Sequence, residues 1–444
     1  MRRRRRSALA VASLGLAALL ATAGQATASP STASPSPASP SPASPSPASP
    51  SPASPSTSEP AGQSDQAALA AAATPLTASN FRYTLSQTSS TLVSALDSAL
   101  PNVTMGAVAD DANRTPSCGS APSVTNRTAY YCWNDGDQDT DAWYPQGITT
   151  SSDAYAEGTY DGKRINLVSW YDHAEDGIDK GVRISVSNLS ASASAPPYRH
   201  ILLVEPSGTA SAPSFKAVNV HAGGIMWYGN LLYVADTSGG FRVFDLNHLW
   251  QVSTGNSSAI GRQSDGSYQA FDYKYVLPQT ARFTDSTAGG YAQLQHSSVS
   301  LDRTSTPDSV VVSEYRSAAD VDAGAQVRTI RVPIDYTNRY LKPASDGIIK
   351  ANEAYRTDLE GVQGSTAING EFFFSQSDGS DHSDPNSDGD LHTFVAPSGS
   401  IVRHGNALTV GAEDLSYDPT RDYLWSLGEY PGYRWVYAAD ASSF

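Results

Sequence analysis

Cysteine is nearly absent from this chain: Cys118 and Cys132 are the two copies in 444 residues. That leaves no cysteine set aside for catalysis. In an exported chain two nearby cysteines predict one disulfide that closes a short loop. Basic residues are also scarce, 29 against 44 acidic ones, for a formal net charge of −15. This balance argues against nucleic acid and anionic lipid as partners and favours solubility and an attraction for cations. Beyond the N-terminus no apolar run approaches the ~18 residues of a membrane span. The chemical signatures are missing too. There is no HExxH, no G-x-S-x-G, no phosphate-cradling loop and no repeated Asp-box of the sialidase-like propellers.

The ends are of a different composition. Arg2 to Arg6, the apolar run Ala8 to Leu20 and Ala26-Thr27-Ala28 form the three regions of an export signal over residues 1–28. This predicts a secreted protein. The signal holds five Arg and no acid, so the remainder is near −20. Residues 29–75 form an Ala/Ser/Pro-rich linker in which ASPSP recurs from Ala33. Proline at every second or third position forbids helix and sheet and favours extended polyproline II. The linker reads as a spacer through a cell wall or as a disordered leader trimmed by proteases. Residues 80–100 contain one helix with Leu92, Leu96 and Leu100 on one face, ending at Pro101.

The body of the chain, residues 76–444, repeats a unit. Copies open at Gln146 (QGITTSSDAY, INLVSWYD, VRISVSNL), His221 (HAGGIMWYGNLLYVADTSGGFRVFDL), His296 (HSSVSLD, SVVVSEY, VRTIRVPID), Gln363 (QGSTAIN, EFFFSQS, LHTFVAP) and Glu413 (EDLSYD, YLWSLGE, RWVYAAD). Each is three apolar-alternating runs parted by Gly, Asp, Asn or Pro, which read as short strands. Recurrent units of this size predict an all-β fold, a β-propeller. Openings about 70 residues apart are generous for one blade, so a further blade is expected in the gaps, giving seven, or six. FRYTLSQ near residue 81, or NVTMGAVA, is expected to complete the last blade and close the ring.

Equivalent strands of different blades share a direction, so the openings should lie at one mouth of the central channel. The ring Gln146, His221, His296, Gln363 and Glu413, with Asp414 beside it, is therefore the candidate ligand-binding site. Two imidazoles and a carboxylate suit a divalent metal or an acid/base pair. The plain alternative is that channel mouths are polar and wet, and that such residues satisfy backbone groups. A mouth of this make-up favours a cation or a polyhydroxylated ligand over an anion.

Two acidic loops are calcium candidates. Asp384, Asn386, Asp388 and Asp390 alternate around Gly389 as in a calcium loop, although the twelfth position is Val395 rather than Glu. Asp135, Asp137, Asp139 and Asp141 alternate likewise, with Thr140 where glycine is wanted. Solvated acidic turns are the alternative for both. Trp133, Trp143, Tyr144, Trp170, Tyr171, Trp227, Tyr228, Trp425 and Trp435 can stack on sugars or pack blade against blade.

The strings HAGGIMWYGNLLYVADTSGGFRVFDL, LVSWYD with GVRISVSNL, and EDLSYDPTRDYLWSLGEYPG resemble a family of secreted actinobacterial propellers that includes the dispase autolysis-inducing protein, over roughly residues 100–444. The resemblance implies a seven-bladed, wall-associated binding protein that is cross-linked by a transglutaminase rather than an enzyme. Such cross-linking needs accessible glutamines on flexible backbone; the candidates are Gln63, Gln66, Gln263 and Gln376. The expected function is thus a secreted, monomeric, non-enzymatic binding or scaffold protein whose partner is an extracellular protein or cell-wall component. The alternative is a propeller hydrolase or lyase with a metal or His/Glu site at the channel mouth.

Overall fold

The computed structural model describes residues 72–377 and 388–444. The chain divides into two units, Met1–Asp65 and Gln66–Phe444, and the described residues all belong to the second. The export signal, nearly all of the linker, and Gln63, Gln66, Asp384 and Asn386 lie outside the described residues.

The strands form a propeller of five blades. Blade 1 is Trp143–Thr150, Ile165–Asp172, Val182–Asn188 and Tyr198–Thr209. Blade 2 is Ile225–Tyr228, Leu231–Asp236, Gly240–Asp245 and Tyr275–Thr287, with Phe81–Gln87 added outside. Blade 3 is Ser298–Asp302, Ser309–Ser313, Arg328–Pro333 and Glu353–Arg356, with Thr74–Pro75 outside. Blade 4 is Val362–Ile368, Glu371–Gln376, Asp390–Val395 and Val402–His404. Blade 5 is Ser416–Asp418, Tyr423–Leu427, Val436–Asp440 and Arg127–Tyr131. The first strands stand side by side in the order of blades 1, 2, 3, 4, 5 and back to 1, so the ring is closed.

The propeller is the expected fold, but the count of seven or six blades is corrected to five. The long gaps between openings hold no hidden blade. Their residues lengthen outer strands and build outer hairpins, such as Ala212–Ala217 against the end of Tyr198–Thr209 and Ile260–Arg262 against Tyr268–Ala270. Leu202–Val204 runs parallel to Val276–Pro278, which fuses the outer edges of blades 1 and 2. Closure also differs from expectation. Arg127–Tyr131 completes the last blade by pairing with Val436–Ala439. FRYTLSQ instead edges blade 2, and NVTMGAVA contributes the short helix Met105–Asp110. The fold begins before residue 76: Thr74 and Pro75 pair with Arg356 and Tyr355, and Ala73 is buried.

Every blade is covered on both faces by its neighbours, so its middle strands lose the alternation of a half-exposed sheet. Val182–Asn188 is buried at all seven positions. The expected helix spans Ser90–Ala99 and buries Leu92, Val93 and Leu96. Val93 and Leu96 pack with Leu202, Val204 and Trp250 outside blade 1. The tryptophans are mostly structural. Trp133, Trp170, Trp227, Trp250 and Trp425 are fully buried, and Trp133 meets both Trp170 and Tyr198 edge-on at 5.0 Å. Cys118 and Cys132 are disulfide-bonded with Cα atoms 5.4 Å apart. Among the described residues no helix is long and apolar enough to cross a membrane.

Candidate functional site

The blades meet most closely at glycines. A Cβ on Gly223 would lie 2.2 Å from Ser297 O, one on Gly224 2.2 Å from Val299 N, and one on Gly364 2.6 Å from Asp414 Cα. Inner strands thus touch backbone to backbone, and the channel is pinched below its mouth. Asp414 serves this pinch. Its Oδ2 accepts from Ile148 N and Ile225 N, both at 3.2 Å, tying blade 5 to blades 1 and 2. It is fully buried, and burial pushes its pKa well up. Asp414 is therefore a stitch between strands and not an open ligand residue.

Above the pinch the mouth is built on two bulges of the same kind. The ladder of blade 1 slips between Pro145 and Ile148, and that of blade 4 between Val362 and Gly364. A bulge frees a residue from the ladder and re-aims its side chain. Gln146 Nε2 then donates to Glu429 Oε2 at 3.0 Å, and Gln363 Nε2 to Glu413 Oε1 at 3.0 Å. Glu413 is raised well above the usual carboxylate range, by burial first and then by the charges of Glu429 and Asp414. Burial also raises Glu429, against the hydrogen bonds from Gln146 and Tyr430. Neither carboxylate has an ion-pair partner among the described residues. The neighbouring Arg434 lowers Glu429 by its charge without an ion pair to the carboxylate: its Nε donates to Glu429 O and its Nη1 to Asp137 O.

Tyrosines surround the pair. Burial, and after it the charges of Glu429 and Glu413, raises the Tyr171 phenol. Tyr171 stacks on His221 with ring centroids 4.5 Å apart, and on Tyr144 at 5.8 Å. Tyr315 is 39% exposed and senses Glu413 and Glu429. His221 keeps exposed surface, while desolvation by its neighbours lowers its pKa to about 4. Glu429, Tyr430 and Tyr315 were not singled out by sequence, whereas Tyr171 was among the aromatics read as able to stack on sugars. A signal was present: WYD, SEY and LGEY are the ends of second strands, which return to the face where first strands begin.

The structure brings Gln146, Gln363 and Glu413 together at one end of the inner strands, Gln146 and Glu413 buried and Gln363 half-buried, with His221 exposed beside Tyr171. The expectation for His296 is corrected. That imidazole is fully buried, hydrogen-bonded through Nε2 to Tyr83 Oη at 2.9 Å and set edge-on to Phe241. Burial lowers it to about 3. The added strand Phe81–Gln87 supplies Tyr83 and so draws His296 away from the channel. Two imidazoles and a carboxylate do not converge. No three His, Cys, Asp or Glu among the described residues are placed to hold a metal ion.

The first acidic loop is likewise committed, while Asp384 and Asn386 of the second lie outside the described residues. Asp137 is buried inside blade 1, whereas Asp135, Asp139 and Asp141 are exposed. Asp137 Oδ1 accepts from Arg183 at 2.8 Å. Its Oδ2 meets Tyr198 Oη at 2.7 Å, His200 Nε2 at 3.0 Å and Arg114 Nε at 3.1 Å. Four oxygen ligands around one calcium are thus not formed there. His200 Nδ1 in turn meets Ser185 Oγ at 3.0 Å, which also accepts from Trp170 Nε1 at 2.8 Å. The Ser185–His200–Asp137 order imitates a nucleophilic triad, but all three are buried and burial lowers His200 to about 3. It is a structural network. In the second loop Asp390 is buried, accepting from Asn406 N at 2.7 Å and paired with Arg403 Nε. Asp388 forms a backbone bridge with Val410.

No family model matches the chain, and no curated protein matches it. It is similar to the solved β-propeller domain of Cps50 (Swd1) from Myceliophteria thermophila, at 7% identity and TM-score 0.31, over 68% of this chain and 98% of that one. It is also similar to the PQQ domain of pyranose dehydrogenase from Coprinopsis cinerea, at 9% identity and TM-score 0.27, over 74% and 97%. A computationally designed protein, Ika8, is similar at 6% identity and TM-score 0.23, over 72% and 100%. Likenesses this remote carry no argument about the site.

Proposed function

We propose that this chain is an exported extracellular binding or scaffold protein whose ligand docks at the channel mouth. The observation that carries the reading is a pair of carboxyls, Glu413 and Glu429, with no ion-pair partner among the described residues and with Tyr171, Tyr315, Tyr430 and His221 around them. Buried charge is normally paired. A cation supplies the missing partner, and a polyhydroxylated ligand meets the same hydrogen-bonding groups with one carboxyl protonated. The test is a binding screen of amines and neutral sugars against wild type and the Glu413→Gln/His221→Ala double variant. Saturable binding by wild type that falls at least about 10-fold, some 1.4 kcal/mol, in a folded double variant supports the mouth. Equal binding by both rejects it.

The acid/base alternative also draws on this pair. Different surroundings split two carboxyls into an acid, Glu413, and a base, Glu429, as in hydrolases and lyases. Turnover of any bound sugar, abolished by Glu413→Gln, would favour that reading over plain binding.

Cross-linking by a transglutaminase is the narrower form of the scaffold proposal. Gln263 and Gln376 are poor sites for it. Gln263 Nε2 donates to Gly261 O at 2.8 Å, and Gln376 is held by Glu360 O at 2.7 Å and His392 Nε2 at 2.8 Å. Gln63 and Gln66 remain the candidates in the leader. Gln326 joins them, exposed in the loop after Ala318–Asp322.

A further inference from the structure

Blades 2 and 3 frame a cleft of about 650 Å³ that belongs to neither the pinch nor the mouth pair. Its walls are the Gly289–Ala292 link between the blades and the Gly324–Gln326 loop, and its charged lining is Arg316 and Arg328. Among the described residues no acidic residue lines it. In a chain of net charge −15 a cleft with cationic walls alone is out of character.

The two arginines are not equivalent. Glu314 is fully buried behind them. Arg328 grips it with two atoms of one guanidinium, Nε at 2.5 Å and Nη2 at 2.7 Å, and adds its own backbone N–H at 3.1 Å. Gln295 N donates as well, at 3.0 Å. Arg328 also donates to Ala292 O and Gln293 O, so four of its five guanidinium N–H donors are used. This bidentate pairing already balances the charge of Glu314. Arg316 touches the same carboxylate with one atom, Nη2, at 3.1 Å. Among the described residues its Nε is buried without a partner and its Nη1 makes no hydrogen bond. Asp320 also feels Arg316, but it is exposed and accepts from Ser317 Oγ and N in a helix cap. Arg316 is thus a surplus cation with unused donors on the wall of a cleft.

We propose that this cleft is a second binding site, for a carboxylate carried on a small molecule or side chain, with Arg316 as the group that receives it. A carboxylate matches the planar guanidinium with two oxygens and one charge. One surplus cation in an acidic protein under-neutralises a doubly charged phosphate. The exposed amide of Gln326 and the ring of Tyr291 stand on the same walls and meet the rest of the ligand. The cleft is larger than one carboxylate needs, so an acidic peptide side chain or a sugar acid fits its size.

The test is an NMR titration of the arginine Nε–H resonances of full-length protein at fixed ionic strength. Sodium glutarate stands for the peptide acid, glucuronate for the sugar acid, and inorganic phosphate is the counter-probe. Expected is a saturable shift of the Arg316 signal with one or both carboxylates at millimolar concentration, weakened about 10-fold for the same probe in Arg316→Lys when read at Gln326. Arg316→Gln should abolish it, and Glu413→Gln at the mouth should leave it unchanged. No saturable shift up to about 50 mM, phosphate binding as tightly as the carboxylates, or equal binding by wild type and Arg316→Gln each overturns the site. None of these outcomes bears on the mouth pair, which is tested with amines and neutral sugars.

Discussion

Replacing Asp137 by Asn probes a buried carboxylate that four side chains meet at once. The carboxylate is 5% exposed and is met by Arg183, Arg114, His200 and Tyr198, all at 3.1 Å or less. Burial alone would raise its pKa; the interactions with His200 and Arg183 outweigh this and hold it well below the usual carboxylate range. Asn keeps the shape and removes the charge, so two guanidinium groups lose their counter-ion in a dry site. Breaking a buried pair in this way costs about 3–5 kcal/mol. At about 2 °C per kcal/mol for a domain of this size, Tm should fall by roughly 6–10 °C. The pH dependence has a fixed sign. A depressed carboxylate contributes its full stability above its unfolded value near 3.9 and loses it as pH falls through the folded value. The gap between wild type and Asp137→Asn should therefore be complete at pH 7 and shrink below about pH 4. Urea unfolding followed by tryptophan fluorescence reads it directly, since Trp133 and Trp170 pack against this network. The exposed neighbour Asp139 is the control, and Asp139→Asn should change stability by less than about 0.5 kcal/mol. A loss below about 1 kcal/mol for Asp137→Asn, or a gap that does not close in acid, would refute the reasoning.

Two further outcomes follow from the mouth and the pinch. Glu413 has a raised folded pKa, so the stability it contributes is present below its unfolded value and lost as pH rises through the folded one. Glu413→Gln, which keeps the acceptor for Gln363, should gain stability relative to wild type as pH rises above the unfolded carboxylate value near 4.3; a difference flat with pH would count against a protonated Glu413 in the folded state. Gly224→Ala places a Cβ 2.2 Å from Val299 N in the next blade. Backbone cannot yield as a side chain does, so a loss of at least about 3 kcal/mol or a failure to fold is expected, and a well-folded variant would contradict the ring packing.

Much of this was legible in the chain itself. Three short alternating runs per unit, opening on Gln146, His221, His296, Gln363 and Glu413, marked five blades and their common starting face. The open reading of the long gaps as further blades failed because period-2 strands look alike whether they start a blade or extend one. Tyr275–Thr287 is one 13-residue strand at the outer edge of blade 2, and only its partners distinguish it from a new unit.

Local sequence determined the strands, the helix at Ser90–Ala99, the nearness of Cys118 and Cys132, and which end of each blade faces the mouth, because these depend on alternation, capping and short separations. Tertiary structure alone decided what each polar residue does. Asp137 looked like a calcium ligand until Arg183 and Arg114 met it from other segments. His296 looked like a ring member until Tyr83, 213 positions earlier, arrived on an added strand. Glu429 became half of a carboxyl pair because blade 5 closes beside Gln146 of blade 1. Charge and hydrogen bonding act over a few ångströms of space, and the chain order records none of those distances.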